Sequence, residues 1–141
     1  MATHRVLLCD DEFHILRAAE IKLRRAGFDV VTASNGAEAL ELIEQHRPDI
    51  LVTDYQMPRL DGIGLCERLR ENPATATMPI TMLTAKGYEL SEAELTPTLS
   101  IAAIVPKPFS PRQLAETCTA LLAGAPATTP VAAGAEARTS S

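Results

Sequence analysis

The 141-residue sequence predicts an α/β domain in which five parallel strands form one sheet with helices on both of its faces. Short apolar runs alternate with amphipathic helical patterns five times along the chain, which is typical of βαβ units. Four of the runs also end in polar or charged residues, which would meet at the carboxyl edge where open α/β sheets bind ligands. The predicted strands are 5–9, 29–33, 49–53, 79–83 and 101–105.

The predicted helices are 12–26, 36–46, 62–71, 91–98 and 111–123, and several have clear boundary signals. Gly27 follows the first helix and Pro48 follows the second, as helix ends often require. Capping boxes at 91–94 and 110–113 predict two helix starts, the second with a proline in its first turn. Pro97 interrupts the fourth helix, so we expect that helix to be short or frayed.

Composition predicts one domain at 1–123 and a tail at 124–141. The whole chain is 46% hydrophobic, which suits a domain with a real core. The tail is rich in Ala, Thr, Pro, Gly and Ser and has almost no large apolar residue, so we expect it to be disordered. We also expect no output domain in the chain.

Charge and hydropathy exclude several classes of protein. The net charge of −5 argues against a surface that binds nucleic acid directly. Because the sequence has no apolar stretch of about 18 residues and no signal-peptide pattern, we expect a cytoplasmic protein without membrane insertion. Three cysteines without CxxC spacing are expected to be buried free thiols.

The residues at the strand ends form a candidate site for phosphate and metal. Asp10 and Asp11 follow the first strand, Asp54 the third, Thr84 the fourth, and Lys107 the fifth. Carboxylate oxygens are the ligands that Mg²⁺ prefers, and a bound metal would allow the third aspartate to act as a nucleophile toward phosphorus. The lysine and the threonine hydroxyl would bind the oxygens of the transferred group. Each residue alone has an ordinary structural explanation, but their shared position at one edge favours a site.

Four motifs carry a resemblance to a known family. They are Val-Leu-Leu-Cys-Asp-Asp-Glu at 6–12, Asp-Tyr-Gln-Met-Pro-Arg-Leu-Asp-Gly at 54–62, Leu-Thr-Ala-Lys at 83–86 and Lys-Pro-Phe at 107–109. Over residues 4–123 the chain resembles a response-regulator receiver domain of bacterial two-component signalling. The resemblance implies the flavodoxin-like strand order 2-1-3-4-5. The second strand, which supplies no acid or base to the site, would then lie at the edge of the sheet.

The resemblance also implies roles for individual residues. Asp54 matches the phosphoacceptor, Thr84 the switch hydroxyl and Lys107 the phosphate-binding lysine. The Mg²⁺ ligands would be Asp10, Asp11, Asp54 and the backbone carbonyl of Gln56. Positions that tune the phosphoryl lifetime or the switch are Gln56, Ala85, Lys86, Ile104 and Pro108, of which Pro108 follows a peptide bond that is usually cis. The donor would be a sensor histidine kinase or a histidine phosphotransfer protein, and the output would go to a downstream protein partner.

Ile104 departs from the family pattern, because receivers usually have an aromatic residue three positions before the lysine. The aromatic half of the usual switch is therefore missing, although the phosphorylation chemistry is unaffected. We expect the signal to leave mainly as a backbone shift of residues 85–99.

Three other functions make predictions that the sequence does not meet. An aspartate-nucleophile phosphohydrolase would have Asp-x-Asp after the first strand and a cap insertion, but position 12 is Glu and there is no insertion. A docking module that had lost phosphorylation would lack part of the candidate site, and all of it is present. A nucleotide-binding switch would need a GxxxxGK[ST] loop, and the sequence contains none. We therefore expect a phosphoacceptor switch that is not a turnover enzyme.

Overall fold

A computed structural model of the chain describes residues 4–57, 59–84 and 101–123. The strands in these ranges are β1 (Arg5–Cys9), β2 (Asp29–Ala33), β3 (Ile50–Asp54), β4 (Ile80–Thr84) and β5 (Ala103–Pro106). The helices are α1 (Phe13–Arg25), α2 (Gly36–His46), α3 (Gly62–Glu71) and α4 (Pro111–Leu122). The predicted helix at 91–98, the tail at 124–141, and both Ala85 and Lys86 lie outside the described residues.

The five strands form one parallel sheet in the order β2-β1-β3-β4-β5, which confirms the predicted doubly wound, flavodoxin-like fold. The chain moves from β1 to the edge strand β2 and then returns past β1 to β3. Ligands bind at this kind of reversal, beyond the carboxyl ends of the two strands that flank it. In this chain those two strands are β1 and β3, which lead into Asp10 and Asp54.

Helices pack on both faces of the sheet and create two cores. Successive strand residues point to opposite faces, so Leu7 belongs to one core and Leu8 to the other. The first core lies under α2 and α3 and includes Ile43 and Leu65. The second lies under α1 and α4 and includes Leu114. Every residue of β3 and β4 is buried, as expected of central strands covered on both sides.

The last three strands end one residue later than predicted, and this difference matters for the site. Asp54 and Thr84 are the final residues of their strands, not the first residues of loops. Asp54 pairs in register with Leu83, and Tyr55 continues the ladder by donating to the Leu83 carbonyl at 2.8 Å. The side chain of Asp54 is therefore fixed by sheet geometry. Pro106 can end β5 because β5 is an edge strand, where a missing N–H is tolerated.

The structure confirms the predicted boundary signals that fall within the described residues. Ser110 caps α4 by accepting from the Gln113 backbone N–H at 3.3 Å. Gly27 follows α1 with φ of +102°, a left-handed conformation that favours glycine. In the part of the chain that the structure covers, no helix has both the length and the apolar character to cross a membrane.

The three cysteines are buried and free, as predicted. Burial raises the pKa of each thiol to about 12. The thiols therefore stay protonated at neutral pH and behave as small apolar core residues.

Gly62 allows the start of α3 to pack directly against the end of β3. A Cβ atom at this position would lie 2.4 Å from the carbonyl oxygen of Asp54 and 3.0 Å from Sδ of Met82. The Gly62 backbone N–H also donates to the Tyr55 carbonyl at 2.9 Å. The absence of a side chain at Gly62 therefore helps to set the position of the strand end that carries Asp54.

We predict that Gly62→Ala lowers the free energy of unfolding by about 1–3 kcal/mol, because the obstacle is backbone that cannot move without displacing β3. Urea denaturation of the two proteins would measure the difference. Gly64→Ala is the matched control on the same helix. Its Cβ would meet mainly Cδ1 of Leu60 at 2.8 Å, the flexible end of a side chain. Alanine also favours helix over glycine by up to about 1 kcal/mol. Equal destabilisation by both substitutions would contradict this explanation of Gly62.

Candidate functional site

The ammonium group of Lys107 lies among three carboxylates at the carboxyl edge of the sheet. Its Nζ atom is 2.7 Å from Oε1 of Glu12, 2.9 Å from Oδ2 of Asp10 and 3.1 Å from Oδ2 of Asp54. Asp10 and Glu12 follow β1, Asp54 ends β3 and Lys107 follows β5, so the group combines three segments that are far apart in sequence. The sheet order brings them together, as the sequence predicted for Asp10, Asp54 and Lys107.

Asp10 is held in place through both its backbone and its side chain. Its backbone N–H donates to the Ala33 carbonyl at 3.1 Å, and its Oδ1 accepts from the Glu12 backbone N–H at 2.8 Å. The second contact is a local turn of the kind that aspartate favours. The remaining oxygen, Oδ2, is fully buried and has no well-aligned hydrogen bond. Its 2.9 Å contact with Lys107 is therefore best described as an ion pair.

Lys107 is tied by its backbone to the end of the neighbouring strand. Its N–H donates to the Thr84 carbonyl at 2.6 Å, next to the register pair of Thr84 and Pro106. The Lys107–Pro108 peptide bond is cis, as the resemblance implies. Movement of the end of β4 would consequently be transmitted to the residue that carries the ammonium group.

Burial, and after it the negative charge of Asp10, raises the pKa of Asp54 to about 6, although the charge and hydrogen bond of Lys107 lower it. For Lys107, burial alone would lower the pKa. Its hydrogen bond to Glu12 and the negative charges of Asp10 and Asp54 outweigh burial, so the pKa is raised. The side chains of Asp10, Asp54 and Lys107 are 0%, 8% and 10% exposed. The interactions between them are therefore only weakly screened by water.

The other predicted site residues lie in different surroundings. Thr84 is buried at the end of β4 and is connected to the site through the Lys107 backbone. Asp11 is exposed and lies outside the group of three carboxylates, although its charge makes a small contribution to the raised pKa of Asp54. Gln56 is exposed, two residues beyond Asp54. The roles assigned to these three residues stay predictions.

Sequence reasoning missed Glu12. Carboxylate oxygens of Asp10, Glu12 and Asp54 all lie within 4.8 Å of one another, so this acidic cluster could hold a metal ion. The signal that could have found Glu12 is the alternation of an extended chain, in which residues two apart point the same way. Glu12 has extended backbone angles, with φ of −94° and ψ of 104°. The Asp-Asp-Glu run therefore directs its first and third carboxylates toward the site.

Ile104 occupies the position where an aromatic residue was expected from the resemblance. It is half-buried, pairs in register with Met82 and packs against the core under α2 and α3. The expected route of the signal through residues 85–99 lies outside the described residues.

Comparison with known proteins identifies the family. A sequence model described as the response regulator receiver domain matches residues 6–119. The chain belongs to this family. It is a receiver domain of the two-component response-regulator type, as the four motifs indicated.

Curated relatives of this receiver domain are longer proteins. The alkaline phosphatase synthesis transcriptional regulatory protein PhoP of Bacillus subtilis is 42% identical over 110 residues, which are 78% of this chain and 45% of PhoP. The regulator ycf27 of Guillardia theta is also 42% identical over 110 residues, which are 42% of its length. The chain thus spans about half the length of the curated relatives it matches.

Solved structures of receivers match over nearly their whole length. The receiver domain of Francisella response regulator 1452 is 30% identical with a TM-score of 0.76, and the match covers 86% of this chain and 98% of that one. Chemotaxis response regulator CheY4 of Vibrio cholerae is 29% identical with a TM-score of 0.75, covering 84% and 98%. These matches agree with the strand order of the sheet.

We predict that Asp54→Asn stabilises the receiver by about 1–3 kcal/mol at pH 7.5 without divalent ions, because a pKa raised by burial and repulsion means that the ionised carboxylate opposes folding. The folded protein binds a proton at Asp54 near pH 6, whereas the unfolded chain binds it near the ordinary pKa of 3.8. The destabilisation is therefore fully present above about pH 6 and disappears as the pH falls toward 4. Urea denaturation of both proteins between pH 4 and 7.5 would measure it.

The control for this pH dependence is Glu41→Gln, which removes the charge of an exposed residue on α2. It should change stability by less than about 0.5 kcal/mol at every pH. The raised pKa would be contradicted if the stability difference between Asp54→Asn and the parent protein did not change with pH. It would also be contradicted if Asp54→Asn were less stable than the parent protein at pH 7.5.

Proposed function

We propose that this receiver is a phosphoacceptor in a two-component phosphorelay and that Asp54 accepts the phosphoryl group from a phosphohistidine. One observation carries the proposal. A buried aspartate at the end of β3 shares the ammonium group of a buried lysine with a second buried aspartate. Membership of the receiver family supports it, because the motifs around these residues are those on which the resemblance rests.

The transfer uses groups that are present at the site. A carboxylate oxygen of Asp54 attacks phosphorus, and the phosphorus–nitrogen bond of the donor breaks with its electron pair going to the imidazole ring. Because its pKa is about 6, Asp54 is mostly ionised at neutral pH and can attack. Lys107 Nζ, 3.1 Å from Oδ2 of Asp54, is close enough to bind oxygens of the incoming group. Later attack by water on phosphorus would release inorganic phosphate and restore the carboxylate.

The cofactor that we propose is Mg²⁺, and the acidic cluster fits it. Asp10 and Asp54 would hold the ion, since their oxygens lie within 4.8 Å of each other and Oδ2 of Asp10 has no well-aligned hydrogen bond. Asp11 and the Gln56 carbonyl would complete the set, as the resemblance implies. When bound, the ion would neutralise charge on the transferring phosphoryl oxygens.

The proposed partners follow from this chemistry. The donor is a sensor histidine kinase or a histidine phosphotransfer protein, and the acceptor signals to a downstream protein in the cytoplasm. The net charge of −5 argues against direct contact with nucleic acid. PhoP is named as a transcriptional regulatory protein, but this chain matches less than half of its length. Because the phosphoryl group ends on the protein itself, we propose a switch and not a turnover enzyme.

We predict that Mg²⁺ and acetyl phosphate together add the mass of one phosphoryl group to the protein, and that chelation of Mg²⁺ prevents the addition. Without the ion, the repulsion between the carboxylates and an incoming phosphoryl dianion is not relieved. Intact-protein mass spectrometry would measure the gain.

Asp54→Ala should abolish the mass gain. Asp49→Ala is a control at the opposite edge of the sheet, where the Asp49 carboxylate accepts from the Arg5 backbone N–H at 2.7 Å. It should leave the gain intact. Equal phosphorylation with and without chelator, or a gain that persists in Asp54→Ala, would contradict the proposed function.

A further inference from the structure

Glu12 forms the shortest ion pair of Lys107, although it is the most exposed of the three carboxylates. Its Oε1 lies 2.7 Å from Lys107 Nζ, and its side chain is 57% exposed. The partners at 2.9 and 3.1 Å, Asp10 and Asp54, have side chains that are 0% and 8% exposed. The ammonium group is thus held from the buried side by two aspartates and from the solvent side by one glutamate.

An ammonium group has three N–H donors, and Lys107 has three carboxylates within 3.1 Å. A phosphoryl group on Asp54 would add further anionic oxygens beside the same ammonium group. One of the existing partners must then give up its contact.

Glu12 is the partner that can leave at the smallest cost. Asp10 is buried, and its other oxygen is fixed by a 2.8 Å hydrogen bond, so it has neither the space nor the solvent to move away. Asp54 is the residue that carries the phosphoryl group. Water can hydrate the released carboxylate of Glu12, and exposed ion pairs are weak for this reason.

We propose that Glu12 is a positioning residue that holds Lys107 in the unphosphorylated receiver and competes with the phosphoryl group for it. The inference rests on the proposed function. While Glu12 is paired, Lys107 is kept within reach of Asp54. When the phosphoryl group arrives, Glu12 is displaced into solvent and the ammonium group binds the phosphoryl oxygens.

The proposal predicts that Glu12→Gln accelerates phosphorylation about two- to fivefold, since the competing exposed ion pair is of the weak class. The initial rate of mass gain with acetyl phosphate and Mg²⁺ would measure the effect. The acceleration should diminish at about 1 M ionic strength, where exposed charges are screened. The variant is expected to fold, because the Glu12 side chain makes no capping hydrogen bond to α1.

Two variants test whether the contact is responsible. Glu12→Asp keeps the charge but shortens the side chain by one methylene, so it should lose the 2.7 Å contact and accelerate phosphorylation. Glu116→Gln is the matched control. Glu116 is 67% exposed and pairs with Arg112 at 3.5 Å on α4, so its substitution removes the same charge and should leave the rate unchanged.

A second readout needs neither metal nor phosphate. In the metal-free protein, the ammonium protons of Lys107 should exchange with water at least twofold faster in Glu12→Gln than in wild type, because the charge-assisted hydrogen bond to the carboxylate is replaced by at most a weaker one to a neutral amide oxygen. Nitrogen-15 NMR of the lysine side chains would measure this exchange. Glu116→Gln should leave it unchanged.

The possible results separate this inference from the proposed function. Phosphorylation that is unchanged or slower in Glu12→Gln would overturn the inference, and so would a Glu12→Asp variant that behaves as wild type. Unchanged Lys107 proton exchange in Glu12→Gln would also overturn it. No mass gain in any protein, wild type included, would overturn the proposed function and this inference with it. Faster phosphorylation in both Glu12 variants but not in Glu116→Gln would support the inference.

Discussion

The structure of the site depends on one buried ammonium group that compensates several carboxylates. Three carboxylates against one ammonium leave a net charge of −2 at the carboxyl edge of the sheet. Burial of unbalanced charge is costly, and removal of one partner from such a group leaves the others uncompensated. Burial, together with the negative charge of Asp10, explains why the pKa of Asp54 is raised although a lysine lies beside it. The net negative charge also explains why the site would attract a cation, since a bound cation would compensate the carboxylates that Lys107 alone does not.

The fold provides this arrangement by making the two edges of the sheet different. At the amino edge, Arg5 ties three strands together: its side chain pairs with Asp29 at 2.6 Å, and its backbone N–H donates to Asp49 at 2.7 Å. Arg5 and Asp29 are 38% and 42% exposed, so water shares the solvation of these charges. At the carboxyl edge the charges of Asp10, Asp54 and Lys107 are buried. The parallel sheet therefore has one edge that is electrostatically satisfied and one that is available for chemistry.

Much of the fold and part of the site could be predicted from the sequence. Short apolar runs indicate buried strands, and the polar residues that end these runs lie at the carboxyl edge of a parallel sheet. Periodicity and position were enough to predict the nine described elements and to place Asp10, Asp54 and Lys107 after the carboxyl ends of apolar runs. The strand order did not follow from the residues and came from the resemblance, since periodicity does not say which strands are neighbours. Glu12 was missed because it was considered only as a motif position and not as a side chain on an extended segment. Asp54 was assigned to a loop because the extra ladder pair with Leu83 cannot be read from one strand alone.

The titration of Asp54 in metal-free protein, followed by carbon-13 NMR of its carboxyl group, tests most directly whether Lys107 is shared among buried carboxylates. The structure predicts a pKa of about 6 for Asp54 in the wild-type receiver. In Lys107→Ala the pKa should rise further, because the only charge that lowers it among its principal neighbours has been removed. A pKa near the ordinary value of 3.8, unchanged by Lys107→Ala, would contradict the proposed balance of charges.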